Sequence, residues 1–293
     1  MTRGDGGLSR RLRTIALGLG IGWAVAVLVT LMQYGNPVDA WCYYSFNPSD
    51  PYRADGCFLY SPPVALAMTA IQGIVSFATF TFLLRAAELL VLIRLAGPAV
   101  AVALFIPAVA IELNAANINL LIVAAVLVGF RHPAAWAFVA LTKVTPGIGM
   151  LWFAVRREWR NFGLAAGATV AIVVASRVVA PDLWHQYLGA LSVAPDSSMW
   201  MIGWRLPLAA LVVAWGARTD HRWAVIVAVF LALPRWYFLS PVMLVGLLPL
   251  VTLPRPLPRP SLRGVTTPFR TRRGWLPRSV PVSSDVRSPQ AQI

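Results

Sequence analysis

Residues 35–63 hold three of the chain's 11 acids (Asp39, Asp50, Asp55), both cysteines (Cys42, Cys57) and, between Trp41 and Tyr52, five aromatics. A carboxylate can take a proton from an attacking hydroxyl, and aromatic rings offer faces on which a sugar can stack. Asp39 follows directly on the first apolar segment, which makes it the candidate base. Further candidates sit where polar residues interrupt apolar sequence: Tyr43, Tyr44 and Tyr60 in the same loop, Asn117 and Asn119 between two apolar runs, Lys143 inside one, then His185 and Arg235. Together they suit an anionic, lipid-linked substrate carrying a sugar, with the cations neutralising its phosphate.

Each of these residues also has a plainer reading. Asp39 fits a helix cap or a solvated loop, and Asn117 and Asn119 fit caps of the following helix. Lys143 can snorkel to an interface, Arg235 and Trp236 suit an interfacial belt, and His185 suits a structural role. The two cysteines, 15 positions apart, fit a disulfide if the loop faces an oxidising compartment, and fit two free thiols otherwise. Three scattered histidines and two cysteines make no metal signature, and no glycine-rich phosphate loop precedes a helix. Neither a metal nor a cofactor is expected.

The elements that carry these residues must lie in a membrane. The 293 residues are 58% hydrophobic and 12% charged, with a mean hydropathy of +0.68. A soluble domain has about twice that charged fraction. Backbone groups in lipid must pair internally, and long apolar runs without alternation predict helices rather than a barrel. The net charge of +14 argues for lipid rather than nucleic acid by its distribution. Four arginines precede Thr14, eight lie in the last forty residues, and most others flank apolar runs, the positive-inside pattern. The one lysine, Lys143, is unusual in lying within an apolar segment.

The expected organisation is a cytoplasmic basic arm (1–13), a polytopic membrane domain (14–253) with outer loops at about 35–63 and 181–203, and a disordered basic cytoplasmic tail (254–293). Both termini are then cytoplasmic. Residues 62–72 are expected to lie along the interface. Arg85 and Glu88, at i and i+3 in the span 77–95, are expected to pair structurally. Residues 133–155 have arginines at both ends and are too short for two full spans. They fit a hairpin of two half-helices turning at 143–147, where Pro146 and Gly147 break the helix; the rival is a single tilted span with one set of arginines on the wrong side. With that hairpin the apolar runs predict seven full or nearly full spans.

Three ordered motifs carry a family resemblance. They are Asp39 with Tyr43-Tyr44, Pro51-Tyr52 and Phe58-x-Tyr60-x-Pro62-Pro63; Asn117-Ile118-Asn119; and Leu141-Thr142-Lys143-x-x-Pro146 ending at Arg156-Arg157-x-Trp159-Arg160. Their order resembles glycosyltransferase family 87, the polyprenyl-phosphate-dependent mannosyltransferases. Asn117-Ile118-Asn119 is similar to that family's Gly-Gln-x-Asn turn, with Ala116 and Asn117 in place of Gly-Gln. The resemblance implies an all-α polytopic GT-C-like helical bundle with extracytoplasmic catalytic loops. It also implies inverting transfer of a sugar, mannose by the family, from a polyprenyl-monophosphate donor to a lipid or glycan acceptor outside the cell membrane. Asp39 then falls at the base position, with Lys143 and Arg235 toward the leaving phosphate. The chain is short for the family and lacks its late histidine after a tryptophan, since Trp236 is followed by Tyr237. Two other readings use the same cavity or the same tail: a transporter or flippase of a lipid-linked sugar, and a catalytically inactive membrane scaffold.

Overall fold

The computed structural model describes residues 5–53, 57–193 and 197–251. The expected disordered tail at 254–293, the first four residues of the basic arm, and Asp55 and Asp196 of the two loops lie outside them. Helices dominate the described residues and no strand forms among them.

α1 (Asp5–Tyr34) starts earlier than the expected span. Its helix runs back through Arg10, Arg11 and Arg13, good helix formers whose long stems can snorkel. α2 (Val38–Tyr44) begins one short turn later. α3 (Pro62–Ile74) opens on a proline pair, which suits a first turn. α4 (Phe77–Ala96) is capped by Ser76, whose hydroxyl accepts from the Thr79 amide at 3.2 Å. A short 3-10 turn and α5 (Val100–Ala103) continue it. α6 (Pro107–Ala115) and α7 (Asn119–Gly129) form a pair bent by 103°. α8 (Trp136–Thr142) and α9 (Leu151–Val155) flank a 3-10 stretch, Thr145–Met150. α10 (Trp159–Val179), α11 (Pro181–Val193), α12 (Ser197–Thr219) and α13 (Trp223–Leu231) follow. A second 3-10 stretch, Ser240–Leu247, leads into α14 (Leu248–Val251).

Among the described residues, fewer continuous spans form than the seven full or nearly full ones expected. Among the described residues, three helices are both long and apolar enough to cross a membrane: Ser9–Tyr34, Phe77–Ala103 and Trp159–Val179. The bent pair α6 and α7 would make a fourth. Apart from α12, a 23-residue helix with Pro207 inside it, the other apolar runs fold as short helices, and all pack into one core, where Leu92, Val109, Leu120, Val126, Trp136, Val213, Val229 and Met243 are buried. The protein is a multi-pass, all-helical membrane protein.

The expected pairing of Arg85 with Glu88 is not made. Arg85 instead donates to the carbonyls of Leu31 (2.6 Å), Leu113 (3.0 Å) and Asn114 (2.6 Å). These are last-turn carbonyls of α1 and α6, at the negative ends of the helix dipoles, and that of Leu31 also accepts from the Gly35 amide at 2.9 Å. A fork of five donors satisfies several such acceptors at once, and it pins the two helix ends beside α2.

Residues 133–155 leave and return to the same end of the bundle. Phe130, just before them, packs edge-on against Trp152 near their close, with centroids 5.5 Å apart. Arg222 lies over Phe130 at 5.3 Å, and Arg156 bonds both Glu158 (2.9 Å) and Asp220 (2.7 Å). The break falls at Lys143, which adopts an extended conformation between α8 and the 3-10 stretch.

Candidate functional site

Five pieces of chain meet at the opposite end of the bundle. The Asn36 amide donates to Asn114 Oδ1 at 3.0 Å, bringing the loop after α1 to the bend between α6 and α7. Ser61 Oγ donates to the Leu141 carbonyl at 2.5 Å, so the start of α3 sits on the end of α8. Thr145 Oγ1 donates to the Ala232 carbonyl at 2.6 Å, fixing the Lys143 break against the end of α13.

The bend itself is unusual. Ala116 closes α6 in the left-handed conformation, at φ 53° and ψ 59°, while fully buried. That conformation costs a non-glycine residue about 1 kcal/mol or more. The turn it makes presents Asn117 and Asn119 to the site. Asn117 Nδ2 donates to Asp39 Oδ2 at 2.6 Å, and its Oδ1 accepts from the Ile118 amide at 2.6 Å. Neither asparagine caps α7 as expected: Asn117 bonds the Ile118 amide before the helix and contacts Asp39, while Glu112 accepts from the first amides of α7.

Asn119 links two charges. Its Oδ1 accepts from Lys143 Nζ at 2.6 Å, and its Nδ2 donates to Glu112 Oε2 at 3.0 Å. Glu112 Oε1 accepts from the amides of Asn119 (2.7 Å) and Leu120 (3.3 Å), which are otherwise orphan donors at the start of α7. Lys143 is within electrostatic reach of both Glu112 and Asp39. A carboxylate with one oxygen held by an amide therefore stands near a cation held by a second amide. Asp39 is partly exposed, and among the described residues its other oxygen takes no hydrogen bond.

The tyrosines divide. Tyr43, one turn past Asp39 on α2, is buried and packs edge-on against Tyr60, with centroids 5.1 Å apart. Burial, with Tyr60 and Asp39 adding to it, pushes the Tyr43 hydroxyl well above its usual value. Burial likewise raises that of Tyr60. Both rings stay neutral and act as walls and hydrogen-bonding groups rather than as bases. Tyr44 points elsewhere. Its hydroxyl donates to the Val75 carbonyl at 2.6 Å, its carbonyl accepts from Gln72 Nε2, and its ring packs on Phe77 and Phe80.

His185 is not brought to this cluster by any contact among the described residues. It is exposed on α11, 3.4 Å from Arg177 Nη2. Its neighbour Tyr187 packs on Tyr52 instead. Arg235 lies half-buried in the loop after α13, and no hydrogen bond or ion pair among the described residues joins it to Asp39 or Lys143. That loop is held by Arg205 of α12, which lies over Trp236 at 4.6 Å and donates to the Pro234 carbonyl at 3.2 Å. Cys42 and Cys57 form a disulfide, with Cα atoms 5.3 Å apart, that ties α2 to the chain leading into α3.

Sequence reasoning passed over Glu112 and Arg205. Each had a signal, a lone charge inside an apolar run, which in membrane proteins marks an interior or functional position. No metal-binding group of three or more histidine, cysteine or acidic residues occurs among the described residues.

No curated protein and no solved structure matches the chain. The sequence model of glycosyltransferase family 87 matches residues 58–254, a stretch that contains Tyr60, the Asn117 bend, the Lys143 break and the Arg235 loop, and that starts downstream of Asp39. That match covers more than half of the chain, and the chain belongs to glycosyltransferase family 87.

Proposed function

We propose that this membrane glycosyltransferase moves mannose from a polyprenyl-monophosphate donor to a hydroxyl of a lipid or glycan acceptor. The transfer takes place at the extracytoplasmic face of the cell membrane, with inversion. The observation that carries the reading is the pairing of Asp39, held by Asn117, with Lys143, held by Asn119, at a bend and a break of adjoining helices. Asp39 takes the proton of the acceptor hydroxyl as its oxygen bonds to the anomeric carbon. The bond from that carbon to the phosphate oxygen breaks, and polyprenyl phosphate leaves with the electron pair. Lys143 neutralises the charge growing on that phosphate, an interaction strongest in the transition state. Asn117 and Asn119 are positioning residues, and Tyr43 and Tyr60 wall the site. Arg235 is a second cation for the phosphate if the 234–238 loop turns it inward; His185 is given no step.

Transfer from radiolabelled polyprenyl-phosphate-mannose in membranes carrying the chain tests this directly. Asp39→Asn is expected to lower transfer by about 10²–10⁴-fold, the usual share of a general base, with unchanged abundance in the membrane. Equal turnover by the variant overturns the assignment of the base. Movement of the donor lipid across the bilayer without a new glycosidic bond, in both proteins, would instead mark a flippase.

A further inference from the structure

The face of α2 turned away from Asp39 opens on a second feature. A cavity of about 300 Å³ is lined by Trp41, Ser45, Asn47, Asp50, Arg53 and the disulfide formed by Cys42 and Cys57, with Phe46, Pro51 and Phe58 behind. We propose that it is a distal sugar subsite, holding a unit of the acceptor glycan beyond the one that receives the transferred sugar. This rests on the glycosyltransferase reading and adds the acceptor's length to it.

The lining has the chemistry of carbohydrate recognition. Trp41 is 58% exposed although large and apolar, and its ring packs at right angles to that of Phe77 with centroids 5.5 Å apart. The indole is thus held in place while more than half of its surface stays open to a sugar ring. Asp50 is exposed and carries a carboxylate able to accept from two neighbouring hydroxyls. The wall is stiff. The Asp50 amide donates to the Asn47 carbonyl at 3.0 Å, and Asn47 Oδ1 accepts from the Ser49 amide (3.1 Å) and hydroxyl (2.9 Å). Phe46 and Phe58 pack behind it with tilted rings, centroids 4.4 Å apart. A preformed wall loses little entropy when it binds.

The geometry of α2 sets the relation between the two sites. Asp39 and Tyr43, four apart, share the face toward the bundle, while Trp41 and Ser45, also four apart, share the face toward the cavity. A helix is about 10 Å across with its side chains, wider than one pyranose ring. A monosaccharide at Asp39 cannot reach Trp41, but an acceptor of two or more units can lie around the end of α2 and fill both. Binding of such a remote unit helps to pay for orienting the reacting hydroxyl.

The test compares mono-, di- and trimannoside acceptors with the full-length protein in lipid nanodiscs. Wild-type kcat/KM is expected to rise about tenfold from the mono- to the trisaccharide. In Trp41→Ala, and separately in Asp50→Asn, that ratio falls to near one, with the loss in kcat as well as in acceptor KM. A wild-type ratio near one, or a ratio preserved in both variants, overturns the subsite. Saturation-transfer NMR with the trimannoside reads the same cavity without turnover. Signals present in wild type and Asp39→Asn but lost in Trp41→Ala support the subsite, and signals indifferent to Trp41 refute it. If no acceptor is glycosylated at all, the enzyme reading fails on its own, while the NMR arm still decides the cavity.

Discussion

At the scale of single residues, the site is a set of charges held by amides, and Glu112 is the one that holds the most. It is fully buried and accepts three hydrogen bonds, two from the first amides of α7 and one from the Asn119 side chain. Glu112→Gln keeps the shape but turns an NH2 group toward donors, leaving at least one buried donor unmet at a cost of about 1–3 kcal/mol. It also frees the Asn119 amide that positions Lys143. The variant is expected to melt at lower temperature in detergent and to lose transfer activity together; unchanged melting and turnover would remove Glu112 from the site. Asp39, Asn117, Asn119 and Lys143 were legible in the sequence because each interrupts apolar sequence or follows it. Glu112 was not, because a lone acid in a run otherwise apolar is averaged away by hydropathy and only the 103° bend shows what it caps.

At the scale of elements, the hairpin over residues 133–155 is what brings Lys143 to depth, and a tryptophan wedge closes it. Trp136 is fully buried, and its ring lies against the Cα atoms of Gly129 and Gly149. A Cβ at Gly149 would run into that ring and sit 3.2 Å from Val225 Cγ1, so neither side has room to give. Gly149→Ala is expected to destabilise by about 1–3 kcal/mol, the range for overpacking a closed core. Thermal unfolding of the purified protein reads it, and a variant as stable as wild type would show that the hairpin is not closed around Trp136. Proline and glycine after Lys143 made this break readable. The overcount of spans has a physical origin as well. An apolar run reports contact with lipid or core, not helical continuity, and the runs around Leu104 and at Ser240–Leu247 turn or tighten without becoming polar.

At the scale of the whole membrane unit, charge and redox chemistry give two independent arguments for the same orientation. Arg156, Arg222 and Arg131 gather at one end with Glu158 and Asp220, and such an excess of arginine favours the cytoplasmic side. The disulfide, Asp39 and Lys143 belong to the other end, and a disulfide persists in an oxidising compartment. Neither argument uses the other's residues, so their agreement is informative. The two native cysteines are bridged and the described residues hold no free thiol, which leaves the background clean for a labelling experiment. Val144, exposed beside the break, and Arg131, exposed at the far end of α7, are the positions to compare. In intact cells a membrane-impermeant maleimide is expected to label Val144→Cys but not Arg131→Cys, and inverted membrane vesicles should reverse the result. Labelling of both positions from one side would mean that residues 133–155 cross the membrane differently from the hairpin. Labelling with the two sides exchanged would put Asp39 in the cytoplasm, where neither a lasting disulfide nor an extracytoplasmic acceptor fits.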